Sequence, residues 1–278
     1  MTVSADDFPA NPPEKAGYIL EFQDEFSGDT LDTSRWLPYY LPQWCSRADS
    51  TPHFTLEDNT LILQITENQS AWCPEFDGDV KVSSIQTGVF GGALGSPYGQ
   101  HRFNDGCRVR EVQDNVQLYT PLYGYFEIRA KSVNTPRNLC ALWMIGYEDQ
   151  PEKSGEIAIF EVFGGYVTDS SARVGYGVHP WGDDSLTDEF YNDFLAIDAT
   201  QFHIYAAEWT PTHIDFYVDN QKVRTIYQSP NYPMQFMLNI YELPDAIGTN
   251  LVESHQYPKN FVVDYVRGYR PIGGYGAS

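Results

Sequence analysis

The chain has 278 residues, a formal net charge of −21 and an isoelectric point of about 4.4. So large an acidic excess repels nucleic acid and anionic membranes, and it disfavours sulfated or uronic-acid polymers as ligands. No apolar run reaches the ~20 residues of a membrane-spanning helix. Aromatic residues make up 15% of the chain, and flat rings suit both sandwich cores and contacts with sugars.

Taken in chain order, the sequence divides into a short tail, one long domain and a second short tail. Residues 1–15 contain three prolines and residues 273–278 are rich in glycine, so we expect both to be unpacked. Residues 16–272 then form a single domain, and all-β domains of this size are common.

Short strand-like runs separated by turn signals fill this domain. Asp58-Asn59 and Asp219-Asn220 each lie between two β-rich runs, as in tight hairpins. Helical periodicity is weak, and residues 187–194 are the one candidate for a short helix. Many antiparallel strands around one core predict an all-β fold, a sandwich of two antiparallel sheets.

The chain has four cysteines, Cys45, Cys73, Cys107 and Cys140, none in a CxxC motif. Four cysteines allow three pairings. Cys45 and Cys73 each follow a Trp in an irregular stretch and are the favoured disulfide pair, whereas Cys140 is expected to be a buried thiol. The first residues lack the basic and apolar regions of a signal peptide. We expect a secreted protein whose leader has been removed; an intracellular protein is the alternative.

Residues 155–162, GEIAIFEV, form an apolar, β-branched run whose two charged residues are Glu156 and Glu161. In a regular strand, side chains five positions apart point to opposite faces. A β-bulge between them would bring both to one face, and bulges are frequent beside active sites. Two carboxyl groups about 5–5.5 Å apart suit a retaining glycosidase. The alternative is a regular strand with one Glu in solvent and the other in a salt bridge.

These residues and several flanking segments resemble glycoside hydrolase family 16, the laminarinase, agarase and carrageenase group. The family signature, E-x-D-x-x-E, matches Glu156 and Glu161, and Ala158 stands in place of its central Asp. Further segments that resemble the family, in its order, are FQDEFSG (22–28), LDTSRW (31–36), YGYFEIRAK (123–131), ALWM (141–144), HIYAAEWTP (203–211), IDFYVD (214–219) and VVDYVR (262–267).

The resemblance implies a concanavalin A-like jelly roll with an open substrate cleft. It also implies that Glu156 is the nucleophile and Glu161 the acid/base. In the family the central Asp hydrogen-bonds the nucleophile, which Ala158 cannot do. Either a water or another side chain fills that role, or turnover is weakened.

Four further residues are candidates for binding the sugar chain. Trp143, on the strand before the glutamates, would form the floor of a subsite or else belong to the core. Trp181 lies in a loop-like stretch, where a Trp has less structural reason to exist. Trp44, also in a loop, would stack on more distant sugar units or pack inside. His179 corresponds in order to a His that the family places by its cleft, where it would hydrogen-bond a sugar hydroxyl or Glu161.

Catalysis by two carboxyl groups needs no cofactor, but the resemblance raises the possibility of a structural calcium ion. Many relatives hold calcium with an Asp on the last strand together with backbone carbonyl groups. Asp264 matches that position, and carboxylate oxygens are ligands that calcium prefers.

Together these features predict a secreted, monomeric, retaining endo-β-glycanase that acts on a neutral polysaccharide. A β-1,3-glucan is the favoured substrate, since an acidic protein suits a neutral chain, and galactan-type polymers come next. A carbohydrate-binding protein that has lost turnover is the main alternative. Ala158 supports it, and the presence of both glutamates opposes it. A jelly-roll polysaccharide lyase that uses Tyr, His and Arg is a third option, which the net charge disfavours.

Overall fold

The structure, a computed structural model, describes residues 6–275. Within these residues two antiparallel sheets pack face to face. The larger sheet contains β1 (Tyr18–Asp24), β2 (His53–Glu57), β3 (Thr60–Ile65), β7 (Gly124–Lys131), β12 (His203–Trp209), β13 (Ile214–Val218), β14 (Gln221–Ile226) and β16 (Lys259–Pro271). Its strand order is β14-β13-β12-β7-β16-β3-β2, and β1 also pairs with β16.

The smaller sheet has the strand order β11-β10-β9-β8-β15-β4. Its strands are β4 (Lys81–Gln86), β8 (Asn138–Gly146), β9 (Glu156–Val167), β10 (Ala172–His179), β11 (Glu189–Leu195) and β15 (Met234–Glu242). Outside the two sheets lie the short pair β5 (Gly88–Val89) and β6 (Val116–Gln117), the helices α1 (Arg47–Ser50) and α2 (Pro74–Asp77), and a 3-10 turn at Pro42–Trp44. The prediction of an all-β sandwich is therefore confirmed.

Both predicted hairpin turns are present. Asp58 and Asn59 have φ angles of 51° and 57°, and Asp219 and Asn220 have φ angles of 48° and 63°. Two successive left-handed residues form the tight turn whose twist matches that of the flanking strands, and Asp and Asn tolerate this conformation better than other side chains. The first turn joins β2 to β3, and the second joins β13 to β14.

The main core lies between the two sheets, where aromatic rings from facing strands stack. Phe160 of β9 stacks on Tyr205 of β12 with ring centroids 4.3 Å apart. Tyr176 of β10 stacks on Phe216 of β13 at 5.4 Å. These contacts fix β9 and β10, which carry much of the site described below, on a rigid layer.

The prediction of a short helix at residues 187–194 is wrong. This segment forms β11, which pairs in antiparallel register with β10 from Val178–Glu189 to Ala172–Leu195. Since the segment lacks a continuous apolar stripe, pairing with the edge of the sheet satisfies its backbone better than an isolated helix would.

The N-terminal segment does not behave as an unpacked tail where it is described. The backbone N–H of Phe8 donates to the carbonyl of Phe202, and the Phe8 carbonyl accepts from the guanidinium of Arg129. The Asn11 side chain bonds Glu127. Residues 1–5 and 276–278 lie outside the described residues. At the C-terminal end, the Tyr275 ring packs against Tyr123, so that tail also contacts the domain. The domain boundaries at residues 16 and 272 stay a prediction.

All four cysteines are free thiols in the structure, so the favoured Cys45–Cys73 disulfide is not formed. Cys140 is fully buried in the main core, as predicted. Among the described residues, no helix is both long enough and apolar enough to cross a membrane.

Candidate active site

The predicted bulge is present in β9. On β8, the adjacent residues Leu142 and Trp143 pair with Phe160 and Ala158, so that Ile159 is the extra residue on β9. Consistent with this, Ile159 and Phe160 both pack in the main core. The alternation of faces is broken once, between the two glutamates. Glu156 and Glu161 therefore point to the same face of the smaller sheet, away from the main core.

Both carboxyl groups line one cleft, a cavity of about 250 Å³ that crosses β15, β8, β9 and β10. Glu156 lies deep, with 5% of its surface exposed, and Glu161 is half-buried. Burial, followed by the charge of Glu161, raises the pKa of Glu156 to about 8. Burial raises the pKa of Glu161 to about 7. A pair with both pKa values raised retains a proton near neutral pH.

Trp181 contacts Glu156 directly. It lies on the connection between β10 and β11, with φ of 47°, and half of its ring is exposed. Its indole nitrogen donates a 2.7 Å hydrogen bond to Oε2 of Glu156. This bond favours the ionised form of Glu156 and so opposes the effect of burial on its pKa. Trp181 is thus brought to the cleft, as predicted, and makes a contact that the sequence does not reveal.

A buried hydrogen-bond network fixes the Trp181 loop against β9. The Tyr232 hydroxyl donates to Asp183 Oδ2 at 2.6 Å and accepts from the backbone N–H of Gly155 at 2.8 Å. Gly182 adds a bond from its N–H to Ser154 Oγ at 2.8 Å. Tyr232 therefore links Gly155, the residue before Glu156, to Asp183, which lies two residues after Trp181.

Ala158, which we expect to stand in place of the signature's central Asp, is fully buried on the cleft side of the sheet. Its neighbours across the two flanking strands are Trp143 on β8 and Gly177 on β10. Neither neighbour carries a carboxyl group. The hydrogen bond that reaches Glu156 comes instead from Trp181.

Trp143 and His179 both line the cleft, as predicted. Trp143 packs beside Ala158 and donates its indole N–H to Asn239 Oδ1 of β15, which fixes the ring in place. The His179 ring stacks on Phe190 with centroids 4.7 Å apart, and its Nδ1 lies 2.6 Å from Asp188 Oδ1. His179 is the cross-strand partner of Glu156.

The assignment of Trp44 to sugar binding is wrong. Trp44 is 0% exposed, in the 3-10 turn, and its indole nitrogen donates to the backbone carbonyl of Gln100 at 2.9 Å. A ring without exposed surface cannot stack on a sugar. Trp44 instead supports the segment that carries His101, which does line the cleft.

The assignment of Asp264 to calcium does not fit the residues present. Its carboxylate is paired with the Arg129 guanidinium at 2.7 Å, which supplies the positive charge that a cation would otherwise provide. Within residues 6–275, no group of three or more His, Cys, Asp or Glu side chains is arranged to hold a metal ion.

Several residues of the site are not identified by the sequence analysis. The hydroxyl groups of Tyr40 and Tyr241 lie 3.2 Å apart in the cleft. His101 packs edge-on against Trp143 and Trp181, with centroids 5.2 and 4.7 Å away. Burial, with the nearby charge of His179, lowers the pKa of His101 to about 3, so its imidazole is neutral. No motif surrounds these residues, and the long-range contacts that bring them to the cleft leave no local signal.

Comparison with known proteins agrees with this geometry. The family described as Glycosyl hydrolases family 16 matches residues 117–248. A solved structure of a GlcNAcα1-4Gal releasing endo-β-galactosidase from Clostridium perfringens is 36% identical, with a TM-score of 0.83, and the match covers 97% of this chain and 67% of that one. A Flavobacterium laminarinase shares the fold at 20% identity and a TM-score of 0.59, covering 91% of this chain and all of that one.

Two curated relatives are glucanases. A glucan endo-1,3-beta-glucosidase A1 of Niallia circulans is 23% identical over 93% of this chain, and a beta-glucanase of Rhodothermus marinus is 30% identical over 53%. The chain spans 39% and 57% of the lengths of these two proteins. Together with the extent of the Clostridium match, the family match shows that the chain belongs to glycoside hydrolase family 16.

Proposed function

We propose that this protein is a retaining endo-β-glycanase in which Glu156 is the nucleophile and Glu161 the acid/base. The observation that carries the proposal is the bulge at Ile159, which turns both carboxyl groups into one cleft. Burial and, after it, the charge of Glu161 raise the pKa of Glu156, as expected for two carboxyl groups that share one cleft. One carboxylate beside one carboxylic acid is the state that retaining hydrolysis requires.

The reaction follows from these two states. Glu161 protonates the glycosidic oxygen while Glu156 attacks the anomeric carbon, and a glycosyl-enzyme forms with release of the leaving chain. Glu161, now a carboxylate, then removes a proton from water, which displaces Glu156 and returns both groups to their starting states. We expect the two carboxyl groups to lie about 5–5.5 Å apart, the retaining separation.

The assignment of the two roles follows the order of the family's signature. Burial alone favours a proton on Glu156, the deeper of the two carboxyl groups, whereas the Trp181 N–H favours its ionised form. The roles therefore need a test of their own, which is given below.

A neutral, galactose-containing glycan is the substrate we favour. The net charge of −21 disfavours polyanions. The similarity to a GlcNAcα1-4Gal releasing endo-β-galactosidase extends over 97% of this chain at 36% identity. A β-1,3-glucan, the first choice from the sequence, is the second candidate, supported by the 23% identical glucan endo-1,3-beta-glucosidase.

A carbohydrate-binding protein with weakened turnover is the alternative that Ala158 supports. If the missing carboxyl group limits turnover, Ala158→Asp raises kcat more than it changes KM, because the added group acts on the nucleophile and not on distant sugars. No gain would mean that Trp181 already supplies the contact that Glu156 needs.

The proposal is tested by incubating the protein with glycans ending in GlcNAcα1-4Gal and with laminarin, and by identifying the products. Hydrolysis with retention of the β anomer is expected. Glu156→Gln should abolish hydrolysis and preserve oligosaccharide binding, whereas Glu57→Gln, on the exposed end of β2, should leave both unchanged. Wild-type protein that binds these glycans without cleaving any would favour the binding-protein alternative.

The roles of the two glutamates are separated with azide. In Glu161→Ala, azide should restore activity on aryl glycosides, whose leaving groups need no protonation, and should give the β-glycosyl azide. An α-glycosyl azide from this variant would mean that the two roles are exchanged.

We further propose that the protein is secreted, since a polymer-degrading enzyme must reach its polymer. We also propose that it is monomeric.

A further inference from the structure

A second and larger cavity, of about 720 Å³, lies beside the catalytic cleft. Three segments form it, residues 97–102, residues 148–154 and the Trp181-Gly182 pair, together with Phe90. Its volume falls in the ~300–1,000 Å³ range of small-molecule sites. We call it the side pocket.

The side pocket and the catalytic cleft share two lining residues. His101 and Trp181 line both cavities. Trp181 also donates its indole N–H to Glu156. A sugar unit bound over Glu156 would therefore lie against the same indole ring that forms one wall of the side pocket, and the next unit of the chain would enter the pocket.

Glu148 is the polar group that distinguishes the side pocket. It is 6% exposed, and the backbone N–H of His101 lies near its carboxyl group, where it lowers the pKa in opposition to burial. Burial raises the pKa of Glu148 well above its ordinary value, which favours the protonated carboxyl over the charged one. Among the described residues its Oε1 is buried without any hydrogen-bond partner, and a buried polar atom left unpaired is costly.

The backbone around Glu148 is firmly held. Gln100, fully buried, donates from Nε2 to the carbonyl of Gly146 at 2.7 Å, and its own carbonyl accepts from Gln43 and Trp44. The Glu148 side chain keeps one soft torsion, χ3, so its carboxyl can turn the unpaired oxygen toward a ligand without moving the chain.

The remaining lining suits an uncharged sugar. Tyr98 and Trp181 present partly exposed rings, 60% and 49% exposed, for stacking on a pyranose face. The basic groups nearby are already paired, Arg102 with Asp105 at 3.4 Å and Lys153 with Asp149 at 2.8 Å. An anionic sugar would meet the acidic side chains of the pocket without a free cation to offset them.

We propose that the side pocket is a subsite for an uncharged pyranose unit adjacent to the one bound over Glu156, with Glu148 as its hydrogen-bonding residue and Tyr98 as its stacking residue. This inference rests on the proposed glycanase function. The unit is either a hexose or an N-acetylhexosamine. Both present the hydroxyl groups and the flat face that this lining recognises, and the test below distinguishes them.

The test compares aryl glycosides that differ by one sugar unit. Aryl β-galactoside is compared with its GlcNAcα1-4 and hexose-extended forms, or aryl β-glucoside with its β-1,3-extended form if the enzyme prefers glucans. Glu148→Leu should lower kcat/KM for the extended substrate by about tenfold, the effect of one lost hydrogen bond with its partner left unpaired. The unextended substrate should be unaffected. The extension whose kcat/KM falls identifies the sugar.

Two further variants separate binding from folding. Glu148→Gln keeps a carbonyl acceptor and a hydrogen-bond donor on a side chain of the same shape, so it should keep at least half of the wild-type kcat/KM on the extended substrate. Tyr98→Ala, on an exposed side chain that the fold does not need, should weaken the extended substrate selectively. The proposal would be overturned if Glu148→Leu and Tyr98→Ala each lowered kcat/KM equally for the extended and the unextended substrate. It would also be overturned if neither variant lowered kcat/KM for either substrate.

Direct binding distinguishes failure of the subsite from failure of the proposed function. The free GlcNAcα1-4Gal and β-1,3-glucan disaccharides are titrated into wild type, Glu148→Leu and Glu127→Gln, followed by Trp fluorescence. Glu127 is an equally buried glutamate remote from the cleft, so Glu127→Gln should bind as wild type does. If wild type binds a disaccharide but cleaves no substrate, and Glu148→Leu loses that binding, the subsite proposal stands and the proposed glycanase function is wrong. If wild type cleaves its substrates but the extension does not change kcat/KM, the glycanase function stands and the subsite proposal is wrong.

A disaccharide whose outer unit carries a carboxylate should bind less tightly than the neutral one, and equal affinity would contradict the charge argument.

Discussion

The indole nitrogen of Trp181 lies 2.7 Å from Oε2 of Glu156 and donates a hydrogen bond to it. The two residues are 25 positions apart in the chain, and the Tyr232–Asp183 network holds the loop of Trp181 against the strand of Glu156. This is a hydrogen bond from a neutral donor to a buried carboxyl group. It therefore favours the charged form of Glu156 without adding a positive charge to the cleft.

Removing this donor should change the pH dependence of the enzyme. In Trp181→Phe the ring remains and the N–H is lost, so the pKa of Glu156 should rise and the acidic limb of the kcat/KM profile should move to higher pH. A shift of roughly one to two units is expected, since a hydrogen bond to a charged group contributes about 1.5–3 kcal/mol and one unit corresponds to about 1.4 kcal/mol. Trp143→Phe is the control, because the Trp143 N–H bonds Asn239 and not a carboxylate. An unmoved limb in Trp181→Phe would contradict this role.

Glu156→Gln should stabilise the protein, and by an amount that depends on pH. The folded pKa of Glu156 is raised to about 8, whereas an unfolded Glu titrates near 4.3. The folded state thus holds a proton that the unfolded state has lost, and folding becomes less favourable as the pH rises through this window. The gain in Tm on Glu156→Gln should be absent near pH 4 and largest near pH 8. Thermal unfolding of both proteins across this range measures it, with Glu57→Gln as an exposed control. A gain that is equal at both ends of the range would exclude the raised pKa as its cause.

Two buried tyrosines should respond in opposite ways to loss of their hydroxyl groups. The Tyr232 hydroxyl bonds both Asp183 and Gly155, and Tyr232→Phe leaves those partners unpaired. We expect a loss of about 1–3 kcal/mol in the free energy of unfolding, together with a lower kcat. The Tyr205 hydroxyl is buried and has no hydrogen-bond partner among the described residues. Tyr205→Phe should therefore be neutral or stabilising. Urea unfolding of the two variants measures both effects, and equal destabilisation would count against the network.

The N-terminal segment should contribute to stability through Asn11. The Asn11 side chain donates to Glu127 at 3.1 Å and to Asn220 at 2.9 Å. The backbone carbonyl of Asn11 accepts a hydrogen bond from the Arg267 guanidinium at 2.9 Å. Asn11→Ala leaves the buried Glu127 carboxylate without one of its donors, and a fall of about 1–3 kcal/mol in the free energy of unfolding is expected. Asn260→Ala is a matched control on the same sheet, since Asn260 is exposed and bonds the exposed Gln64. Equal stability of the two variants would mean that the segment lies on the sheet without stabilising it.

The placement of Glu156 and Glu161 on one face could be predicted from the sequence because the information is local. Two charges in an apolar strand, five positions apart, need a bulge to share a face, and that requirement can be read from a single segment. Which residue forms the bulge is decided by the pairing of β9 with β8, where Ile159 has no counterpart. That pairing depends on the packing of the whole sheet and leaves no mark in the strand itself.

The errors concern residues whose role depends on distant parts of the chain. Trp44 looks like an exposed loop residue, but its indole N–H is satisfied by the carbonyl of Gln100, 56 positions away. Asp264 looks like a free carboxylate until Arg129, on the neighbouring strand, is placed beside it. Glu148 and His101 lie in polar stretches that are typical of surface turns. Only the fold shows that both side chains are buried.

Because Ile159 is the extra residue in β9 where it pairs with β8, the segment between the two glutamates is sensitive to inserted residues and comparatively insensitive to amino-acid substitution. Exchanging Ile159 for Val or Leu changes only how the core is filled. Deleting Ile159 would remove the bulge and restore regular alternation, in which the two glutamates, then four positions apart, would still share the cleft face. Inserting a residue beside it would instead reverse the faces of everything that follows on the strand, so that Glu161 would enter the core and Val162 the cleft. Sequences that descend from this one can therefore vary between the two glutamates by substitution or by loss of the extra residue, but a single inserted residue would send the two carboxyl groups to opposite faces in one step.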